Sequence, residues 1–533
     1  MNSRARIIVV LVVMAAVAIL TLSGSLPTPW RSDNDLNVVV TAQDLQSNEA
    51  TFTNCRYGVT PVSSDDVNAV TQIGAGWYLN FQPYPYGAKP ANNAEFAHII
   101  HVKQNIGTTG YLPSWYTIPP LNNELANYIK SKPGSKYLLG NEIDRKGQGE
   151  IHPDLYALAY HDVYNFIKKA DPTAQIAISG LVEVTPMRTQ YLDIVWDTYM
   201  RTYGTAIPVD IWNMHLYPLP EVVLQDGELK PSRAGVALGT DINLGIRESD
   251  LTPNQCGDPY DNIYCYAEHD DMDVFAEQII RMRQWMKDHG QQDKPLIISE
   301  YSVLWPYIVD SQGCYLMDEF GKCFVPDRIS KFMVESFNYL NQTKSTDLGY
   351  PADDYRLVQQ WMWFATYRNP GDNGNSSNLL ESDHKTLTQV GRTFRDYVAN
   401  EPVYRNLVVD RVDNVAVQAQ PDNNATARIS VLLRNNGNAE VQQPFNVTFY
   451  SNSGLTAKIG TVRINPLVKG CATTSYKAAV DWTGLSKGAH QFWVVVDSEG
   501  EIQESPTGNV DNTGQGTVIV RSDYAAMPVV ASD

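Results

Sequence analysis

Between Cys55 and about Asn400, short apolar runs alternate with longer segments in which apolar residues recur at helical spacing. This alternation is typical of βα units that build a parallel sheet. The runs predict eight strands: Arg56–Val59, Trp77–Phe81, Phe96–Val102, Tyr137–Asn141, Ile176–Ser179, Ile211–His215, Leu296–Ser299 and Val358–Trp363. Eight strands, most of them followed by a helix, predict an α/β fold of the (β/α)₈ or TIM-barrel type over residues 55–400.

The helices between these strands are marked by apolar residues three or four positions apart. The clearest patterns are Leu155, Leu158, Ala159, Val163, Phe166 and Ile167 after the fourth strand, Phe275, Ile279, Met282 and Met286 after the sixth, and Ile329, Phe332, Met333, Phe337 and Leu340 after the seventh. The Pro, Gly and Asn-rich segment 82–95 predicts that the helix after the second strand is missing or rudimentary. A doubly wound open sheet is the alternative, but no glycine-rich phosphate-binding pattern follows an early strand.

After residue 400 the pattern changes to short, β-branched, alternating runs separated by Asn-Gly and Ser-Gly turns. These runs are Asn414–Gln420, Ala427–Arg434, Phe445–Tyr450, Ala457–Ile464, Thr473–Val480 and His490–Val496. They predict an immunoglobulin-like β-sandwich over residues 401–522, followed by a tail at 523–533. No cluster of acid, base or nucleophile candidates stands in this part, so we expect an attachment or spacer role.

The first 25 residues of the sequence predict an export segment. Arg4 and Arg6 precede the uncharged apolar run Ile7–Leu22. Residues 1–25 are therefore predicted to be either a cleaved signal peptide or a retained N-terminal membrane anchor, with 26–54 as a linker. In both cases the rest of the chain is expected to be extracellular or at the cell surface. A buried N-terminal core helix is the disfavoured third possibility.

Six cysteines suit an oxidising compartment. Cys256 and Cys265 lie nine positions apart, and Cys314 and Cys323 repeat that spacing, which predicts two local disulfides. Cys55 and Cys471 remain, either free or joined across the two domains.

Composition narrows the classes of function. The chain has 533 residues, enough for two domains, and its 43% hydrophobic and 19% charged content excludes disorder as its main state. The formal net charge is −18. Because an acidic surface repels phosphate backbones, nucleic acid is excluded as an expected partner.

Two glutamates stand where predicted strands end. One strand runs directly into Asn141-Glu142, and another runs through Ser299 into Glu300. Barrel enzymes place their chemistry at the carboxyl ends of the strands, so the fourth and seventh strands would bring these carboxyl groups to one mouth. Glycosidic cleavage uses such a pair, one carboxyl protonated and the other ionised.

At these residues the sequence resembles the large clan of retaining (β/α)₈ glycoside hydrolases, and the resemblance spans the predicted barrel. It implies that Glu142 is the acid/base, Glu300 the nucleophile, and Asn141 a ligand of the sugar 2-hydroxyl. His215 and Tyr217, at the sixth strand, resemble the clan's His-x-Tyr, with the tyrosine beside the nucleophile. The tryptophans of the eighth strand match the aromatic platform under the sugar; one of the two is expected to face the cavity, and Trp363 is favoured over Trp361.

Within this clan, the stretch around Trp77 and the Gly-Asn-Glu-Ile-Asp motif resemble the glycosyl hydrolase catalytic-core family that includes endo-β-1,3-glucanases. Trp77 and Trp115 are further candidates for contact with the substrate. The chain departs from the clan at Ile143, where proline usually follows the Asn-Glu pair. The segment from the Asn435-Asn436-Gly437 turn through Asn509 resembles bacterial cell-adhesion-related immunoglobulin-like modules.

Two other classes of function compete with hydrolysis by a glutamate pair. A metal-dependent hydrolase would need further metal ligands, and the spacing of His98 and His101 puts them on opposite faces of a strand, so no metal and no cofactor are expected. A catalytically inactive carbohydrate-binding or adhesion protein at the cell surface is the second alternative. The leading hypothesis is a secreted or membrane-tethered retaining glycoside hydrolase that acts on a polysaccharide or glycoconjugate.

Overall fold

A computed structural model of the chain describes residues 53–145, 147–218, 223–225, 228–230, 269–305, 307–310, 313–315, 323–420, 424–465, 467–504 and 511–521. The strands of the first part of the chain are β1 Asn54–Val59, β2 Ala75–Tyr78, β3 Glu95–Gly107, β4 Gly110–Ile118, β5 Lys136–Leu139, β6 Gln175–Ile178, β7 Trp212–Leu216, β8 Val223–Gln225, β9 Glu228–Lys230, β10 Leu296–Tyr301, β11 Tyr307–Asp310, β12 Gly313–Tyr315 and β13 Gln360–Trp363. The helices are α1 Val67–Gln72, α2 Asn123–Lys130, α3 Pro153–Ala170, α4 Pro186–Tyr203, α5 Met272–Asp288, α6 Pro326–Gln342 and α7 Gln389–Asn400.

Eight of these strands form a parallel barrel. They are hydrogen-bonded in the order β6-β5-β3-β2-β1-β13-β10-β7. The two ends of this path meet through a parallel bridge between Ala177 and Ile211, where the Ile178 N–H donates to the Ile211 carbonyl at 3.3 Å. The barrel is therefore nearly closed, and the eight predicted strands and the (β/α)₈ class are confirmed.

Side chains alternate between the barrel interior and the surrounding helices, as the period of a strand requires. The interior is filled by a cluster of Trp77, Leu79, Ala97, Ile99, Leu138, Ala177, Ile211, Ile297 and Met362. The intervening strand residues pack outward into a larger core with the apolar faces of the helices. This alternation decides which residues reach the mouth.

Helices follow the barrel strands with one exception. Residues 79–94, between β2 and β3, contain no helix, as the Pro, Gly and Asn-rich composition predicted. The structure adds a hairpin that the sequence did not predict, because β3 continues to Gly107 and turns into β4. The signal of β4 was weak, since most of its side chains are exposed and Pro113 interrupts its alternation.

The second part of the chain is a two-sheet β-sandwich. Its strands are β14 Leu407–Val412, β15 Val415–Gln418, β16 Ala425–Asn435, β17 Phe445–Tyr450, β18 Lys458–Ile464, β19 Tyr476–Leu485, β20 Gly488–Val496 and β21 Thr513–Arg521. One sheet has the order β14-β16-β19 and the other β15-β21-β20-β17-β18. The six predicted strands are present, whereas β14 and β21 were missed.

The sandwich packs against the end of the barrel where the strands begin. Arg56, at the start of β1, donates to both carboxylate oxygens of Asp353 and to the carbonyl of Asn436 in the sandwich. Lys469 of the sandwich pairs with Glu95 at 2.8 Å, at the start of β3. Glu142 and Glu300 lie at the opposite end of the barrel, where the strands end.

A disulfide reinforces this junction. Cys55 and Cys471 are joined over 416 positions of sequence, which decides between the two possibilities left open for them. Cys323 is also disulfide-bonded, but the side chain of Cys314 lies outside the described residues, as do Cys256 and Cys265. Within the described ranges, no helix combines the length and the apolar character that a membrane crossing needs. The predicted export segment and linker at 1–54 lie almost wholly outside those ranges.

Candidate active site

Glu142 reaches the barrel mouth through a tight turn after β5. Its backbone has φ 45°, a left-handed conformation that is unusual for a glutamate, and its N–H donates to the Gly180 carbonyl at 3.0 Å. Gly140 precedes it with φ 105°, where an added Cβ would lie 2.7 Å from Ile143 Cγ2. The turn therefore needs glycine at 140 and holds Glu142 in a strained conformation of the kind that clusters at functional sites.

Glu300 reaches the same mouth through an irregularity in β10. Ile297 faces the barrel interior and Ile298 faces the helices, so simple alternation would point Glu300 outward. The pairing with β7 shifts between Ile298 and Glu300, as in a β-bulge. After this shift Glu300 lies beside His215, and Tyr301 packs on the helix side.

β7 supplies the residues that join the two carboxyl groups. Its inward positions, two apart, carry His215 and then Tyr217 just beyond the strand. His215 Nδ1 lies 3.2 Å from Glu142 Oε1 and 3.8 Å from Glu300 Oε2. The Tyr217 hydroxyl donates to Glu300 Oε1 at 2.7 Å. The structure thus brings together four of the predicted site residues.

The close approach of these groups depends on Gly180. An added Cβ there would lie 2.4 Å from Cδ2 and 2.7 Å from Nε2 of His215. Glu142, His215 and Glu300 are all buried, and one ligand atom from each lies within 4.8 Å of the others. Among the described residues, these three side chains form the group whose ligand atoms are close enough together to hold a metal ion. The expectation that the protein binds no metal stays a prediction.

Burial and neighbouring charges shift the pKa values of the two glutamates in opposite directions. Burial raises the pKa of Glu142, but the hydrogen bond and charge of His215, together with Arg145, outweigh burial and hold that pKa below its ordinary value. Burial, with the charge of Glu142, raises the pKa of Glu300. The two carboxylates in turn outweigh the effect of burial on His215 and raise its pKa. These neighbouring charges therefore favour an ionised Glu142.

Three charged residues of the site were missed by the sequence analysis. Arg145 Nη1 lies 2.9 Å from Glu142 Oε2. Beneath the turn, Asp144 and Arg188 form a fully buried ion pair at 3.0 Å, and Arg188 also donates to the Asp144 carbonyl at 2.7 Å. Burial raises the pKa of Asp144 to about 6. The available signal was the density of charge in Glu142-Ile-Asp-Arg145, directly after an apolar strand.

The prediction that one tryptophan of the eighth barrel strand, β13, faces the cavity is wrong, because both lie on the helix side. Trp363 lies on the helix side of β13, where it packs against Tyr301 and Phe332 and donates to the Ser377 carbonyl at 3.0 Å. Trp361 is on the same side, since residues two apart on a strand share a face. Phe364 instead packs with Tyr217 and its neighbours at the mouth.

The remaining candidates are spread over the barrel. Asn141 is half-buried in the mouth turn beside Glu142. Trp77 is fully buried inside the barrel near the strand starts, with the Lys136 ammonium 5.0 Å from its ring centroid, so it is not brought to the glutamates. Trp115 is half-buried on the β4 hairpin, where it packs against the core between the strands and helices.

Comparison with known proteins bears on both domains. Residues 405–513 match the CARDB family model, so a CARDB domain lies at the C-terminus. No curated protein sequence matches the chain. Structural neighbours of the barrel are β-1,3-glucanases of glycoside hydrolase family 128.

Three of these neighbours illustrate the likeness. The endo-β-1,3-glucanase of subgroup II from Pseudomonas viridiflava is 14% identical, with 65% of this chain and 97% of that chain covered and a TM-score of 0.38. The curdlan-specific exo-β-1,3-glucanase of subgroup III from Blastomyces gilchristii, in complex with glucose, is 15% identical, with coverages of 64% and 97% and a TM-score of 0.36. A mutant subgroup I endo-β-1,3-glucanase from Amycolatopsis mediterranei, in complex with laminarihexaose, is 12% identical, with coverages of 64% and 98% and a TM-score of 0.37.

Proposed function

We propose that this protein is a retaining glycoside hydrolase that cleaves O-glycosidic bonds of a polysaccharide or glycoconjugate outside the cytoplasm. The observation that carries the proposal is the convergence of Glu142 and Glu300. Their strands, β5 and β10, are far apart in the barrel, yet the two carboxyl groups meet at one mouth around His215. A buried pair of carboxyl groups is the machinery that glycosidic cleavage needs.

The separation of the two carboxyl groups supports retention rather than inversion. One carboxyl oxygen of Glu142 lies within 4.8 Å of one of Glu300. Retaining enzymes hold their carboxyl groups about 5–5.5 Å apart, whereas inverting enzymes keep them about 6.5–9.5 Å apart to admit a water molecule between sugar and base. The distance between these two oxygens is nearer to the retaining separation than to the inverting one.

The reaction proceeds by two displacements. Glu300 attacks the anomeric carbon while the bond to the leaving oxygen breaks, and Glu142 gives its proton to that oxygen. Water then attacks the anomeric carbon and releases the Glu300 carboxylate, while Glu142 takes the proton of the water. The hydrogen bond from Tyr217 stabilises the Glu300 carboxylate before attack and as it leaves.

An activity screen with matched variants tests this proposal. The purified protein is assayed on β-glucans including laminarin, mannans, xylans and galactans, alongside Glu142→Gln, Glu300→Gln and, as a control, the exposed Glu124→Gln on α2. Laminarin is included because of the resemblance to endo-β-1,3-glucanases. We expect product from the wild type and from Glu124→Gln, but none from either mouth variant, with the anomeric configuration retained by proton NMR. Wild-type turnover by Glu300→Gln would remove it as the nucleophile.

A glycan-binding adhesion protein without turnover is the second candidate. The match of residues 405–513 to the CARDB family model favours it, as does the Arg145 ion pair that holds Glu142 ionised. The same panel separates the two candidates. Binding of a glycan by calorimetry, with no product from the wild type at any pH between 4 and 9, would favour this second candidate.

For the C-terminal sandwich we propose a role in attachment or spacing. It packs on the barrel end opposite the glutamates, so an attached sandwich would leave the mouth open to a substrate. The Cys55–Cys471 disulfide supports a location outside the cytoplasm, because disulfides persist in oxidising compartments. The choice between a secreted protein and an anchored one rests on the N-terminal apolar run alone.

A further inference from the structure

Arg145 forms an ion pair with Glu142, the proposed acid catalyst. Its guanidinium lies 2.9 Å from Glu142 Oε2, and its side chain is one-third exposed although that of Glu142 is almost completely buried. The pair is therefore a contact between a buried carboxylate and a cation that still reaches solvent. Among the described residues, the guanidinium of Arg145 donates its hydrogen bond to Glu142.

The backbone around Arg145 is held in place. Its N–H donates to the Glu142 carbonyl at 3.1 Å, and its own carbonyl accepts from the Gln148 N–H at 3.1 Å. The preceding Asp144 is anchored by its buried ion pair with Arg188. Any change in the position of the Arg145 charge must therefore come from rotation of its side chain.

The charges that face Glu142 leave a conflict with its proposed role. Strand β7 places His215 beside Glu142 and Tyr217 just beyond it, and strand β10 contributes Glu300. In the turn that carries Glu142, the charge of Asp144 is balanced by Arg188. Among the residues that the structure describes, Arg145 is the remaining cation beside Glu142. With both glutamates ionised and His215 protonated, Arg145 brings the summed charge of these four described groups to zero, so they are balanced without a proton on Glu142. An acid catalyst must nevertheless carry a proton when the glycosidic bond breaks.

We propose that Arg145 is a displaceable counter-ion of Glu142: it leaves the carboxylate when the leaving-group side of the glycan enters the mouth, and it returns after that group departs. The inference rests on the proposed function. Displacement leaves a net negative mouth, closed to water by the substrate, and so favours uptake of one proton by Glu142.

The return of Arg145 suits the second displacement. Once the leaving group has departed, Glu142 must accept a proton from the attacking water, and it does so best as a carboxylate. A guanidinium at 2.9 Å stabilises that carboxylate. Arg145 is thus a positioning residue: it acts through the protonation of Glu142, and no bond to the substrate is formed or broken by it.

A titration tests the proposal without any need for turnover. Glutamate carboxyl carbons are labelled with ¹³C, and the Glu142 signal is identified by its loss in Glu142→Gln. The pKa of Glu142 is then compared in the wild type, Arg145→Met and Arg145→Lys. We expect Arg145→Met to raise this pKa by about one pH unit or more, as for removal of an opposite charge within 4–6 Å, and Arg145→Lys to change it little. Equal pKa values in the wild type and Arg145→Met would overturn the proposal.

Two further measurements separate a counter-ion that stays from one that is displaced. Calorimetry of the binding of a non-hydrolysable, S-linked glycan analogue to the wild type, which keeps the charge of Glu300, in buffers of different ionisation enthalpy, should show uptake of about one proton, and Arg145→Met should reduce it. In active enzyme, the alkaline limb of the pH profile of kcat/KM should move to higher pH in Arg145→Met, because Glu142 with a raised pKa loses its proton at a higher pH. Binding without proton uptake would mean that Arg145 stays on Glu142. Absence of turnover in every variant, with the titration as expected, would instead count against the proposed hydrolase.

Discussion

Tyr217 donates a 2.7 Å hydrogen bond to Glu300 because it lies two residues beyond His215 on the inward side of one strand. The same alternation aims His215 at both carboxyl groups. A single strand, β7, therefore fixes the geometry between glutamates that come from two other strands.

Replacing Tyr217 with Phe tests this hydrogen bond. The Glu300 carboxylate loses a donor, and hydrogen bonds to charged groups contribute about 1.5–3 kcal/mol, which corresponds to about 10- to 150-fold in rate. We expect kcat to fall within that range. The acidic limb of kcat/KM should move to higher pH, because the pKa of Glu300, already raised by burial, rises further and the nucleophile must be ionised.

The control for Tyr217→Phe is Tyr301→Phe, which removes a buried hydroxyl beside Ser336 on the helix side of β10. It should change kcat less than twofold. A Tyr217→Phe enzyme with the wild-type pH profile would show that the hydroxyl does not act on Glu300.

Gly180→Ala tests the packing that brings His215 to the glutamates. The added Cβ would lie 2.4 Å from His215 Cδ2, so the imidazole must move. A misplacement of about 1 Å can cost about 100-fold in rate, and we expect a loss of kcat/KM of that order. Activity and urea unfolding are measured together, with Gly454→Ala as the control, since the nearest atom there is 3.5 Å away. A fully active Gly180→Ala enzyme would show that the position of His215 is not needed.

Much of this site could be predicted from the sequence, because apolar strands run directly into Asn141-Glu142 and Ser299-Glu300. Those junctions place both carboxyl groups at the carboxyl ends of strands, whatever the details of packing. The β-bulge that turns Glu300 inward leaves no mark in the alternation of residues, since it arises from pairing with β7. The strand pattern alone therefore predicted that Glu300 reaches the mouth, without the reason for the direction of its side chain.

The misplaced Trp363 shows where such prediction stops. Its face of β13 is decided by register with β1 and β10, and Met362 fills the interior instead. Likewise, the partner of Asp144 is Arg188, on a helix that follows the next barrel strand. Contacts of this kind are set by the three-dimensional packing of elements distant in sequence, which residue patterns within one element do not encode.

Arg56→Met tests how the two domains depend on each other. The Arg56 side chain is buried, and its loss leaves Asp353 with Arg356 and frees the Asn436 carbonyl of the sandwich. Breaking a buried ion pair costs about 3–5 kcal/mol, and we expect a loss near the lower end because Arg356 remains. Scanning calorimetry should then resolve two transitions, with kcat at 25 °C unchanged because the glutamates lie at the other end of the barrel.

The exposed pair of Arg428 and Asp481 provides the control, since Arg428→Met removes a surface ion pair worth about 0–1 kcal/mol. A single transition at the wild-type temperature in Arg56→Met would show that the domains are coupled by other contacts, with the Cys55–Cys471 disulfide as the first candidate.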